Sequence, residues 1–246
     1  MTWQGSGMRD GVKRVLLALL LVLMLAVTVI SLDRYGRSVR TYKPVSAAND
    51  ARFAPVFVDR PMEAYRLWKK QGMRGRIVVS FSRWLNFVES GKEADKGSRK
   101  GIVRSRDDES SLTDMNFMFV AMKTAIAREI IHVVPESVYY DKAKYVRDLK
   151  GVTAGKNEIV SNYQGASRTI TMVEFIRPVT EPVLLYINAS YFRDYEPEYL
   201  VELIRKADLI ADSMILCNST DDNEVSPRER EKLQIFSELI KGVRRF

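Results

Sequence analysis

The run Glu181–Phe192, E-P-V-L-L-Y-I-N-A-S-Y-F, constrains the fold more than any other stretch of this chain. Its apolar centre is bounded by Pro182 and by the polar residues after Phe192, and no polar residue alternates through it. A strand buried on both faces of a parallel sheet has this pattern. It ends on Asn188, Ala189 and Ser190, and α/β sheets meet their ligands at the carboxyl ends of their strands.

Around this strand the chain alternates between two periods. Pro55–Val58 is expected as a short strand. Pro61–Gln71 is expected as a helix with Pro61 in its first turn, Ala64, Leu67 and Trp68 on its apolar face, and Gly72 at its end. Arg76–Phe81 (R-I-V-V-S-F) reads as the next strand. A polar excursion over 91–111 reads as a surface loop, after which Thr113 is placed to cap a helix through Met115, Phe119, Met122 and Ile126. Glu129–Pro135 (E-I-I-H-V-V-P) is a further buried strand, carrying His132 as a structural residue. Ser137–Gly165 reads as irregular, and Arg168–Phe175 alternates as a half-exposed strand does. Glu198–Ile210 is expected as a helix and Ser213–Cys217 as a last buried strand. Ser226, Pro227 and Glu229 form a capping box that opens the final helix. Such alternation argues for an α/β domain with a mainly parallel sheet over 55–246.

Ahead of that domain lie a basic segment (1–14), an uncharged run (15–32) and a charged linker (33–54). The uncharged run, V-L-L-A-L-L-L-V-L-M-L-A-V-T-V-I-S-L, would make about 27 Å of helix, close to the thickness of a bilayer core. The residues after it, Val29, Ile30, Ser31 and Leu32, lack the small-x-small pattern of a cleaved signal. The expectation is a single-pass signal anchor, with membrane attachment through 15–32 and the α/β domain on the non-cytoplasmic side.

The charge pattern bears on partners. Residues 1–50 hold seven basic residues against three acidic ones, half of the formal +8 excess. The remainder is spread along the chain, which gives no clustered footprint for nucleic acid. One cysteine, Cys217, and one histidine, His132, are present. A zinc site with several imidazoles from one chain is therefore excluded.

Four segments carry a family resemblance. They are the helix leading into G-M-R-G-R-I-V-V-S-F, the run N-F-M-F-V-A-M-K-T-A-I-A-R-E-I-I-H-V-V-P, the strand P-V-L-L-Y-I-N-A-S-Y-F, and the tail around Ser226–Leu239. In this order they resemble the arginase-like metallohydrolases, specifically their peptide-arginase branch, over roughly residues 55–245. The resemblance implies a three-layer α/β fold. Members of that family carry His-x-Asp-x-His-x-Asp after the first metal strand, where this chain has Ser80, Ser82, Trp84 and Asn86. The family's Asp-x-Asp falls on Asn188 and Ser190. Paired divalent cations need several carboxylates and imidazoles, and these neutral side chains are not such a set. The expectation is a metal-free, cofactor-free domain whose pocket of Ser80, Ser82, Trp84, Asn86, Asn188 and Ser190 binds a polar ligand or a peptide of a protein partner. The competing readings are a hydrolase using other residues of the cleft, such as Asp194, Glu196 and Glu198, and a purely structural subunit of an envelope complex.

Overall fold

A computed structural model describes Leu20, Met24 and residues 54–87, 111–146, 151–163 and 166–241. The chain divides into two units, Met1–Pro44 and Val45–Phe246, and the fold below belongs to the second. It is a mixed α/β domain with a mostly parallel sheet of eight strands in the order β1-β8-β7-β2-β3-β6-β5-β4. The strands are β1 (Val56–Val58), β2 (Arg76–Phe81), β3 (Ala127–Val133), β4 (Val152–Ala154), β5 (Glu158–Tyr163), β6 (Ala166–Thr171), β7 (Val183–Asn188) and β8 (Ala211–Cys217). The helices are α1 (Pro61–Lys70), α2 (Phe117–Lys123), α3 (Glu136–Val146), α4 (Pro197–Lys206) and α5 (Pro227–Leu239). From β1 to β6 along the sheet all neighbours are parallel; β6, β5 and β4 are antiparallel.

β2 and β7 are buried at every residue, and they lie side by side in the middle of the parallel part. Alternate residues of each strand go to opposite faces. On one face Val79, Phe81, Leu185 and Ile187 pack with Leu200, Leu203 and Ile204 of α4 and Leu233 and Phe236 of α5. On the other, Val78, Ile130, Leu184 and Tyr186 pack with Tyr65 and Trp68 of α1 and all of Phe117–Met122. Each fully buried side chain of this size contributes about 1.5–3 kcal/mol, so both faces matter to stability.

The crossovers position the site. From β2 the chain passes through α2 to β3 on one side, and from β7 it passes through α4 to β8 on the other. The two helices cover opposite faces, as crossovers of one hand require when they run in opposite directions. The segments leaving β2 and β7 therefore run to opposite faces, and an open crevice lies at the carboxyl ends of β1, β2 and β8.

Several expected elements differ. Ser137–Gly165, expected as irregular, contains α3, β4 and β5. The strand expected over Arg168–Phe175 is Ala166–Thr171, followed by a 3-10 turn at Val173–Phe175. α2 begins at Phe117, so Met115 is not core: it is 55% exposed.

The single-pass anchor, the membrane attachment and the non-cytoplasmic placement are corrected. No helix among the described residues is long and apolar enough to cross a membrane. The longest of them, α5, has 13 residues, about 20 Å against the roughly 30 Å of a bilayer core. Of 15–32 only Leu20 and Met24 are described, both helical and exposed; the rest of that segment, with 1–14, 33–53 and 91–110, lies outside the described residues.

Candidate functional site

The crevice is built from four separate segments. After β2, Ser82 Oγ accepts the Trp84 N–H at 3.0 Å, which turns the chain sharply away from the sheet. Asn86 sits at φ +48°, a left-handed conformation that asparagine tolerates better than most residues. Its Nδ2 donates to the Asp114 carbonyl at 2.6 Å, and its own carbonyl accepts the Met118 N–H at 3.2 Å. The loop after β2 is thereby fixed to the start of α2.

After β7, Asn188 caps the 3-10 turn Ala189–Arg193. Its Oδ1 accepts the Ser190 N–H at 2.9 Å, while Nδ2 donates to Tyr186 Oη at 3.0 Å and to Ser219 Oγ at 2.8 Å. Cys217 Sγ lies 3.5 Å from Ser219 Oγ in the same buried group. Burial, with Cys217 beside it, holds the Tyr186 phenol well above its usual range, and burial pushes the Cys217 thiol up. Both stay protonated at neutral pH, so neither is a ready nucleophile. The Arg83 N–H donates to Ser190 Oγ at 3.4 Å and joins the loops after β2 and β7.

An open cavity of about 460 Å³ lies at the carboxyl ends of β1, β2 and β8. Its walls are Asp59, Arg60 and Pro61 after β1, Trp84 and Asn86 after β2, Asp114 and Met115 before α2, and Ser219 with Asp221–Glu224 after β8. Of the expected pocket residues, Trp84 and Asn86 line it. Ser80, Ser82, Asn188 and Ser190 lie outside its walls and are buried to within 1% exposure. Asp114 anchors one wall: its Oδ2 accepts Arg60 Nε at 3.1 Å and Nη2 at 2.8 Å, and its Oδ1 accepts the Met62 N–H at 2.9 Å. The alternative carboxylates do not line the cavity. Asp194 is ion-paired with Arg83, Glu196 with Lys232 at 2.6 Å, and Glu198 occupies the first turn of α4.

The acidic rim Asp221–Glu224 was assigned no role from the sequence, although T-D-D-N-E lies only two residues beyond a strand expected to be buried. Arg230 on α5 shapes it, donating from Nε to the Asn218 carbonyl at 3.1 Å and from Nη2 to the carbonyls of Ser219 at 3.1 Å, Thr220 at 3.5 Å and Asp222 at 3.4 Å.

Ser80 stands between His132 and Tyr186 in register on the α1/α2 face of the sheet. Ser80 Oγ and both His132 ring nitrogens have no hydrogen-bond partner among the described residues. Phe87 meets the His132 ring edge-on at 6.2 Å, and the Arg168 guanidinium lies 4.3 Å from the Phe87 centroid. Burial, with Arg168 nearby, holds His132 well below its ordinary 6.5; burial alone lowers Arg168 to about 10. The unfolded chain takes up a proton on His132 below 6.5 and the folded chain does not, so stability is full above that pH and falls as pH drops below it, by up to about 1.4 kcal/mol per unit. Because His132 is the sole histidine, denaturant melts of the wild type and of His132→Gln between about pH 7.5 and 5.5 isolate the effect. The variant is expected to lose that part of the slope; equal slopes contradict the assignment.

No group of three or more His, Cys, Asp or Glu side chains among the described residues is arranged to hold a metal ion. No family model, no curated protein and no solved structure matches the chain. The arginase-like resemblance therefore rests on the four quoted segments alone.

Proposed function

We propose that this α/β domain is a non-catalytic binding module of arginase-like, three-layer type, which uses the cleft at the carboxyl ends of β1, β2 and β8 to hold a polar ligand or a peptide segment. The observation that carries this reading is how the polar groups are engaged. Ser82, Asn188 and Ser190, at positions where the resembled family holds metal, are buried and hydrogen-bonded within the protein. The walls of the cavity carry an indole, two amides, carboxylates, the Arg60 guanidinium and the Ser219 hydroxyl, and Ser219 Oγ is engaged with Asn188 Nδ2 and Cys217 Sγ rather than with a base. Hydrolysis by a positioned base and nucleophile needs both groups within hydrogen-bond reach. A concave, partly aromatic surface with a few convergent polar groups suits binding.

The test pairs binding with turnover on the full chain. Ligand-observed NMR against a library of polar fragments and short peptides is expected to find ligands whose binding weakens about tenfold or more in Trp84→Ala. A panel of ester, amide, phosphate and guanidine substrates is expected to show no turnover that changes in that variant. Hydrolysis abolished by Trp84→Ala overturns the reading in favour of an enzyme. An absence of any ligand sensitive to Trp84 removes the reading altogether.

A further inference from the structure

On the sheet face covered by α1 and α2, one cation has no counter-charge. Arg168 stands on β6 beside Ile130 of β3. Ile170, two residues on, packs with Ile159, Tyr139 and Ala143, so α3 covers the same face. Among the described residues the other buried or half-buried arginines all have partners. Arg76 has Asp212, Arg60 has Asp114, Arg83 has Asp194, and Arg230 has carbonyls of the loop after β8. Arg168 makes no hydrogen bond and no ion pair among the described residues; its contact is the Phe87 ring, whose centroid lies 4.3 Å from Cζ. Burial lowers its pKa to about 10 and no carboxylate acts to raise it, so at neutral pH it is a cation. A ring face offsets only part of the cost of an enclosed charge without a counter-ion.

The neighbouring polar groups share the deficit. Ser80 Oγ and both ring nitrogens of His132, in register on this face and 1% exposed, also have no partner among the described residues. A hydroxyl, a neutral imidazole and a guanidinium each carry a donor. Buried donors are nearly always met, so what this region lacks is an acceptor. The side chain of Arg168 also shows where one can approach. Its Nε is enclosed, but the residue as a whole is half-buried, and Nη1 and Nη2 are not enclosed. The end of the guanidinium is therefore the reachable edge, and paired N–H bonds from such an edge fit an oxyanion. Ser161, half-buried and directly opposite Arg168 on β5, brings a hydroxyl to the same side of the sheet.

We infer that Arg168 anchors a second site, separate from the cleft at the strand ends, which binds a carboxylate or phosphate group end-on through Nη1 and Nη2 with Ser161 Oγ as a further donor. This site does not rest on the binding-module reading of the cleft, and each can fail without the other. The Phe87 ring backs the guanidinium. His132 is close enough to feel the charge of Arg168, so it reports on whatever neutralises that charge.

The experiment is a heteronuclear NMR titration of the full chain with inorganic phosphate and with acetate, set against chloride at matched ionic strength and against neutral acetamide. Phosphate or acetate is expected to shift the Arg168 Nε–H signal and the ring signals of His132, the sole histidine, along a saturating curve; chloride and acetamide are not. The tighter of the two oxyanions identifies the source, a phosphoryl group or a carboxylate. Arg168→Met keeps a stem beside Phe87 and removes the fork; it is expected to abolish the His132 response. Arg168→Lys keeps the charge but not the paired donors, and is expected to weaken binding about tenfold. The comparison of oxyanion with chloride is made on the wild type and needs no variant. Equal shifts with chloride, a response that never saturates, or a His132 response undiminished in Arg168→Met each overturn the inference. Silence of Arg168 and His132 towards both oxyanions overturns it too, and none of these results touches the reading of the cleft.

Discussion

Arg76→Ala is expected to lower the stability of the domain by about 3–5 kcal/mol, as is Asp212→Ala. The two side chains form an ion pair at 3.1 Å with 6% and 1% of their surfaces exposed. Arg76 opens β2 and Asp212 lies near the start of β8, with β7 between them, so the pair spans the amino-terminal edge of the sheet. Both positions fall at irregularities: the β2–β3 register shifts between Arg76 and Ile77, and the β7–β8 register shifts between Val183 and Leu184, opposite Ala211 and Ser213. Removing either partner leaves the other charge buried and deprived of this ion pair. The double change Arg76→Met with Asp212→Leu removes both charges together and is expected to recover most of the loss. Urea melts of the three variants check this. Single variants that cost under about 1 kcal/mol, the scale of an exposed pair, contradict it.

Asn188→Ala is expected to cost about 3 kcal/mol or more, a large effect for the loss of so small a polar group. Asn188 serves three partners at once: the Ser190 N–H, Tyr186 Oη and Ser219 Oγ. All four residues are buried, and Asn188 itself has no exposed surface. Deleting the amide leaves the Ser190 N–H without its side-chain acceptor and takes a strong donor from Tyr186 Oη and Ser219 Oγ, which keep only the weak partner Cys217 Sγ. Ser82→Ala removes one accepted hydrogen bond, from the Trp84 N–H, and is expected to cost only about 1 kcal/mol. Chemical denaturation of both variants gives the comparison. Equal, small costs contradict the role of Asn188 as the hub of the site floor.

The parallel core was readable from the sequence because burial on both faces leaves a strong trace. Arg76–Phe81 has the same limits as expected and as found, and it is buried throughout. The capping box was equally legible: Ser226 Oγ accepts the Glu229 N–H at 3.3 Å and Glu229 Oε2 accepts the Ser226 N–H at 3.0 Å. The stretch 137–165 was not legible. α3 has only Tyr139 and Ala143 buried among its described side chains, a single turn of apolar spacing. β5 buries Ile159, with no alternating partner to announce a strand. These elements form because β6 offers an edge to pair with, which is tertiary information. At the site, Trp84 and Asn86 were placed by local resemblance. The acids facing them come from Asp59, Asp114 and the loop after β8, segments brought together only by the order of the strands.

Arg230 has a consequence for how this surface can change over time. It grips the loop 218–222 by four main-chain carbonyls and by no side chain of that loop. The path of 218–220 is therefore written in backbone; Asp222 also holds the rim by accepting the Glu224 N–H, and the chemical character that is free of the path is written in the side chain of Asp221. Substitutions there can recode which partner is welcome while the contour of the cleft persists, so affinity for new ligands is open to drift and selection without a detour through a misshapen loop. Arg230 is the residue on which that freedom depends.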